Sequence, residues 1–271
     1  MNFSIILPTR YRSKMMEYFL YSLKRNSVFE HEVIVICDIF TSWQTYKYLQ
    51  EHNIFYYQVD YCNWYKMLNF GADKAKNEYL ALCQDDVLFG YHWDELLQRY
   101  LHKLNMIAPT FLEHVNGHYF GSYDKDNVRH LEDFNFDEFD SYCKAHSNAP
   151  LHGDVKHPMI IHKETFNQLG KFTCFTGQER VHLHHESGFK FRLQQIGGQA
   201  FGVGNSFIYH IPNVGYDQNI PRYGYDFYQG PTHIPLECKK CGFKQAGSEL
   251  TSKELDDAIN RGYWICQTCR K

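Results

Sequence analysis

The stretch Asn69-Phe70-Gly71-Ala72-Asp73-Lys74-Ala75-Lys76-Asn77-Glu78-Tyr79-Leu80-Ala81-Leu82, continuing into Cys83-Gln84-Asp85-Asp86, decides the fold. Its apolar run at 79–83 reads as a buried strand that stops at two adjacent carboxylates. Three similar runs precede it, at 3–7, 32–37 and 54–59, each separated from the next by enough chain for a crossover helix. Consecutive βαβ units of this kind feed a largely parallel sheet flanked by helices, and ligands gather at the carboxyl ends of its strands. That rule singles out Pro8, Thr9 and Arg10, then Asp38, then Gln84, Asp85 and Asp86.

Carboxylates gathered at adjacent strand ends suit a hard divalent cation, Mn2+ or Mg2+, that bridges and neutralises the oxygens of a diphosphate. Asp38 taken alone also fits a turn former. The doublet after an apolar strand points more strongly to chemistry.

Beyond residue 105 the pattern weakens to Gly, Asp, Asn and His among aromatics, and 105–156 reads as loops with a short antiparallel excursion. Pattern returns as a strand at 158–162, a short helix at 163–169 and a longer helix at about 179–196 that Gly197 and Gly198 end. Two strands are expected next, at 199–203 and 206–211.

Several of these motifs, in this order, resemble family 2 glycosyltransferases with the GT-A fold. Ser4-Ile5-Ile6-Leu7-Pro8-Thr9-Arg10 looks like the family's first strand and nucleotide-binding loop, and Glu32 to Asp38 like the second strand with its base-recognising Asp. The resemblance implies a nucleotide-sugar donor bound by Pro8, Thr9, Arg10, Asp38, Gln84 and Asp85. Gln84-Asp85-Asp86 stands where the family carries Asp-x-Asp, so the first acid is replaced and Asp86 becomes the expected ligand of the catalytic cation. His210, at the end of an apolar strand, is the second expected ligand, as related enzymes commonly supply a His there. His185-Glu186-Ser187-Gly188-Phe189-Lys190-Phe191-Arg192-Leu193 places Glu186 where the family has its catalytic acid, with Glu179 as second choice should the alignment slip. An inverting transfer needs such a carboxylate to take the acceptor's proton. His182, His184 and His185 do not share one helical face and fit solvated or acceptor-side histidines better than a metal site.

At the other end of the chain, Cys238-x2-Cys241 and Cys266-x2-Cys269 form two thiolate knuckles, the ligand set of a closed structural Zn2+ site. The interval from Gly242 to Ile265 exceeds the usual spacing of about 15–20 residues. It carries its own helix signals: Thr251 with Glu254 makes a capping box, and Gly262 closes the far end. Lys239, Lys240, Lys244, Arg270 and Lys271 surround the knuckles and would suit nucleic acid. The expected organisation is therefore a GT-A domain over 1–211, a Tyr/Gly/Pro-rich linker over 212–235 and a zinc ribbon over 236–271.

Composition bounds the rest. The chain has 271 residues, 44% of them hydrophobic and 17% aromatic, which excludes a disordered chain. A formal charge of -3 gives no overall reason to bind nucleic acid or an anionic membrane, so any such contact must be local. No apolar run approaches a membrane span, and the N-terminus lacks signal-peptide regions, so a cytoplasmic location is expected, the host's cytoplasm for a viral protein. Cys37, Cys62, Cys83, Cys143 and Cys174 scatter among apolar segments and read as free thiols rather than disulfides.

The leading expectation is an inverting, metal-dependent transfer of a hexosyl or pentosyl group to an acceptor hydroxyl, with a hydroxylated base of viral-type DNA as one acceptor class. A catalytically degenerate GT-A scaffold, kept as a zinc-ribbon binding module for nucleic acid or protein, is the alternative that the Gln84 departure motivates. A nucleotidyltransferase would also need strand-end carboxylates, but the loop Pro8-Thr9-Arg10-Tyr11-Arg12 lacks its glycines.

Overall fold

A computed structural model describes residues 1–10, 12–39, 41–60, 63–113, 120, 131–172 and 185–211, together with the backbone of 235–237 and 244–246. The chain opens with β1 (Phe3–Thr9), α1 (Ser13–Asn26), β2 (Glu32–Cys37), α2 (Trp43–Glu51), β3 (Tyr56–Gln58), α3 (Trp64–Lys74) and β4 (Tyr79–Leu82). Then come β5 (Val87–Phe89), α4 (Trp93–Leu97), β6 (Asn105–Leu112), α5 (Phe136–Ala145), β7 (Met159–His162), α6 (Lys163–Gln168), α7 (His185–Gln195) and β8 (Gln199–His210). β1 to β8 form one sheet in the order β3-β2-β1-β4-β7-β6-β8-β5.

Alternation along β1 decides which side chains meet which helices. Phe3, Ile5 and Leu7 join Met16 and Phe19 of α1, Leu49 of α2 and Trp93 of α4 in one core. Ile6 faces the opposite core, with Leu68 and Ala72 of α3, Phe166 of α6 and Phe189 and Leu193 of α7. Gly71 lets α3 lie close on that face: a Cβ there would come within 2.2 Å of Ile6 Cγ2 and 2.7 Å of Ile36 Cδ1. Polar residues set the helix starts, as Ser42, Asn63 and Asn135 each accept a backbone N–H from the first turn of α2, α3 and α5.

The four N-terminal strands pair in parallel as expected, although β3 is shorter than the 54–59 run. The second half departs from a largely parallel sheet. β7 runs antiparallel to both β4 and β6, β8 is parallel to β6, and β5 is antiparallel to β8, so the sheet is mixed. The loop reading of 105–156 is corrected: it contains β6 and α5, and β6 is a central strand. Its sequence, Asn-Met-Ile-Ala-Pro-Thr-Phe-Leu, carries a Pro that ordinarily argues against a central strand. The register slips at that residue. Pro109 pairs with Val203, but Thr110 pairs with Phe207, so Gly204, Asn205 and Ser206 bulge out of β8. The two strands expected at 199–203 and 206–211 are thus the halves of one bulged strand. At its bend a Cβ on Gly204 would meet the Pro150 carbonyl at 1.8 Å, which only a glycine permits.

Among the described residues, Cys37, Cys83 and Cys143 are free and buried, and no helix is long and apolar enough to cross a membrane. β9 (Pro235–Glu237) and β10 (Lys244–Ala246) pair antiparallel. Cys238, Cys241, Cys266 and Cys269 lie outside the described residues, as do Glu179, His182 and His184.

Candidate active site

Strand direction brings the site together. β1, β2, β4, β6 and β8 all point the same way, so their carboxyl ends share one edge, and sheet order reverses on either side of β1. β7 runs the other way with Met159 opposite Leu82, so His157, two residues before β7 begins, lies by the end of β4.

On one side of that edge, Arg10 caps Asp38. Its Nε and Nη2 meet Asp38 Oδ2 at 2.6 and 2.5 Å, and Asp38 is only 1% exposed. The carboxylate expected to recognise a base is thus held beneath a guanidinium, so the pair presents itself to solvent through Arg10. Pro8 is buried in β1 beside Ile36, and Thr9, the last residue of β1, donates its Oγ1 to Asp85 Oδ2 at 2.9 Å. Gln84 is half-buried between Cys83 and this acid.

The acidic doublet is the electrostatic centre. Arg12, which starts α1, reaches Asp86 Oδ2 at 2.6 Å and Asp85 Oδ1 at 3.2 Å through the same Nη1, with its side chain only 7% exposed. Burial, and then the neighbouring charge of Asp86, pushes the Asp85 carboxyl up against the opposing pull of Arg12. At Asp86 burial acts in the same direction, but the charge of Arg12 and the hydrogen bond from His210 outweigh it and hold the carboxyl well below the usual range. His210 Nε2 stands 3.4 Å from Asp86 Oδ2, and its Nδ1 meets Glu113 at the end of β6. Burial alone would lower the His210 pKa; the two carboxylates raise it. The backbone N–H of Ile211 donates to the Asp86 carbonyl and locks the end of β8 to the doublet.

These residues fit a divalent cation in one specific respect. Asp86 Oδ1 is buried and has no hydrogen-bond partner, which leaves an anionic oxygen without the partner that buried polar atoms normally have. With His210 Nε2 beside the same carboxylate, one oxygen and one nitrogen would hold the ion, and a diphosphate would supply further oxygens. No group of three His, Cys, Asp or Glu side chains forms a complete cage among the described residues.

Glu186, in the first turn of α7, meets His157 Nε2 at 2.8 Å, while His157 Nδ1 lies 2.7 Å from the Leu82 carbonyl. Burial would raise the Glu186 carboxyl, but His157, Lys190 and Tyr65 together bring it below its ordinary value. Glu186 is therefore tied to the strand that leads into Asp85 and Asp86. Arg12, Glu113 and His157 escaped the sequence reading. Arg12 had a signal, since it follows the first strand within the loop already singled out; Glu113 and His157 border strands whose pairing the sequence does not announce.

The profile of Glycosyl transferase family 2 matches residues 4–170. Among solved structures, GalNAc-T7 with UDP, GalNAc and Mn2+ superposes with a TM-score of 0.58 at 13% identity, over 80% of this chain and 45% of that one. Residues 1–349 of S. aureus TarS superpose with a TM-score of 0.52 at 14% identity, over 78% of this chain and 60% of that one. The same TarS fragment in complex with UDP gives 0.50 at 15% identity. The chain thus spans about half the length of these structures, and at such identities the likeness is one of fold, consistent with GT-A. No curated protein matches the sequence.

Proposed function

The chain belongs to glycosyl transferase family 2, and from that premise we propose that it is an inverting, metal-dependent enzyme moving a sugar from a nucleotide-diphosphate donor to an acceptor hydroxyl. The observation that carries this reading is the meeting of Arg12, Asp85, Asp86 and His210 at the carboxyl ends of β1, β4 and β8, with one Asp86 oxygen left open. Such a point suits a diphosphate, and GalNAc-T7 and TarS carry UDP on the same fold.

Asp86 and His210 would hold Mn2+ or Mg2+, which when bound neutralises charge developing on the departing diphosphate. The Arg10–Asp38 pair would meet the base and Thr9 would steady Asp85 beside the donor. Glu186, ionised and only partly exposed, takes the acceptor's proton. As it does so the acceptor oxygen bonds to the anomeric carbon, and the bond from that carbon to the diphosphate oxygen breaks with its electron pair leaving on the phosphate. Attack opposite the leaving group inverts the anomeric centre.

The C-terminal module is read as a structural Zn2+ ribbon that recognises the acceptor, with nucleic acid as the acceptor class its basic residues suit. The antiparallel pairing of β9 with β10 supports a hairpin whose connecting residues include Cys238 and Cys241. The test of the whole reading is incubation with a panel of nucleotide sugars and Mn2+, UDP-sugars first, measuring nucleoside diphosphate release and the anomeric configuration of the product. Release with inversion is expected. No release from any donor would reject it.

A further inference from the structure

Arg12 already occupies part of the place that a cation would take. Its guanidinium is permanently charged, almost wholly buried, and 2.6 Å from Asp86 Oδ2, the oxygen that also lies nearest His210. The same Nη1 reaches Asp85, so one positive charge is shared between both members of the doublet. A divalent ion entering between Asp86 and His210 would therefore meet a fixed positive charge on its own ligand, in a site where low solvent access strengthens the repulsion. The only oxygen of Asp86 without a partner is Oδ1.

We propose that Arg12 is a resident counter-ion that competes with the divalent cation for Asp86, so that the cation enters together with the diphosphate rather than before it. The negative charge of a diphosphate offsets the guanidinium and supplies the ligands that the protein does not. Without nucleotide, Arg12 offsets part of the doublet's charge and weakens the site for free metal. Binding of the two ligands is then coupled, and the coupling is reciprocal. This inference rests on the cation reading above and adds the order in which the site fills.

The test is Mn2+ binding by electron paramagnetic resonance, with and without UDP, to the full chain and to Arg12→Gln and Arg12→Lys. For the native protein UDP should tighten Mn2+ by about tenfold or more, a difference of about 1.4 kcal/mol. Arg12→Gln should bind Mn2+ about tenfold more tightly than the native protein when nucleotide is absent, and should lose most of the gain from UDP. Arg12→Lys keeps the charge without the planar fork and should fall between the two, which covers the case where Arg12→Gln fails to fold by circular dichroism. Equal or weaker Mn2+ binding by the folded variants, with the native protein still binding Mn2+ and UDP, overturns this inference alone. Failure of the native protein to bind Mn2+ even with UDP overturns the metal reading and this inference with it.

Discussion

His157 joins Glu186 to the strand that carries the acidic doublet. Its Nε2 lies 2.8 Å from Glu186 Oε1 and its Nδ1 donates to the Leu82 carbonyl at 2.7 Å, since a carbonyl oxygen can only accept. The proposed base is thereby fixed relative to Asp85 and Asp86 through backbone rather than through a loop. Glu186→Gln should keep nucleotide-sugar binding and lower transfer by about 10²-fold or more. Because the carboxyl is held below its ordinary value, activity should persist down to the acid side of neutrality and be lost as pH falls through that lowered value. His157→Gln removes the contact that most opposes burial, so the acid limb of kcat/KM should move up. An unmoved limb would show that His157 does not hold the carboxylate.

Asp94 should carry a large share of stability for one residue. It is fully buried and accepts from the backbone N–H groups of Val28 and Phe29 and from His31 Nε2, which pins the connection between α1 and β2. Burial would raise its pKa, yet His31 and the two N–H groups bring it below the ordinary value. The stability contributed is therefore present above the unfolded value of about 3.9 and lost as pH falls through the lower folded value. Asp94→Ala should cost about 3 kcal/mol in urea unfolding at pH 7, since it strands buried donors. A loss within measurement error would contradict this account.

Gly71→Ala should destabilise the fold even though alanine favours helix. The new methyl would press on Ile6 Cγ2 and Ile36 Cδ1 and lift α3 from the sheet. The expected cost is roughly 1–3 kcal/mol by thermal unfolding. A stabilised variant would mean that α3 has room to shift.

Removing Leu236 to Lys271 should spare donor hydrolysis while impairing transfer to the natural acceptor, and elemental analysis of the full chain should find one zinc per molecule. Four thiolates would fill the zinc's coordination shell and leave no open position for chemistry. Full acceptor transfer by the truncated form would reduce the module to an appendage.

The parallel half of the fold was legible because each of its strands is a local apolar run. β6 was not: its pairing with β7 and β8 joins residues far apart in sequence, and Pro109 disguises a central strand that the bulge in β8 accommodates. The same limit governs the site. Thr9, Asp85, Asp86 and His210 could be named from strand ends, whereas Glu113 and His157 reach the same edge only through β6 and β7, whose directions no local pattern encodes. Asp38 shows the converse. Its position was legible, but its cover by Arg10 is a side-chain arrangement two strands wide.

Mn2+-dependent release of nucleoside diphosphate from a nucleotide sugar, compared between the native protein and Asp86→Ala, tests the central claim most directly. The carboxylate follows the end of β4 with one oxygen open, and in the proposed reading it serves the cation rather than the core. The account predicts that Asp86→Ala retains the native circular dichroism spectrum and releases no nucleoside diphosphate at saturating Mn2+. Unchanged turnover in that variant would contradict it.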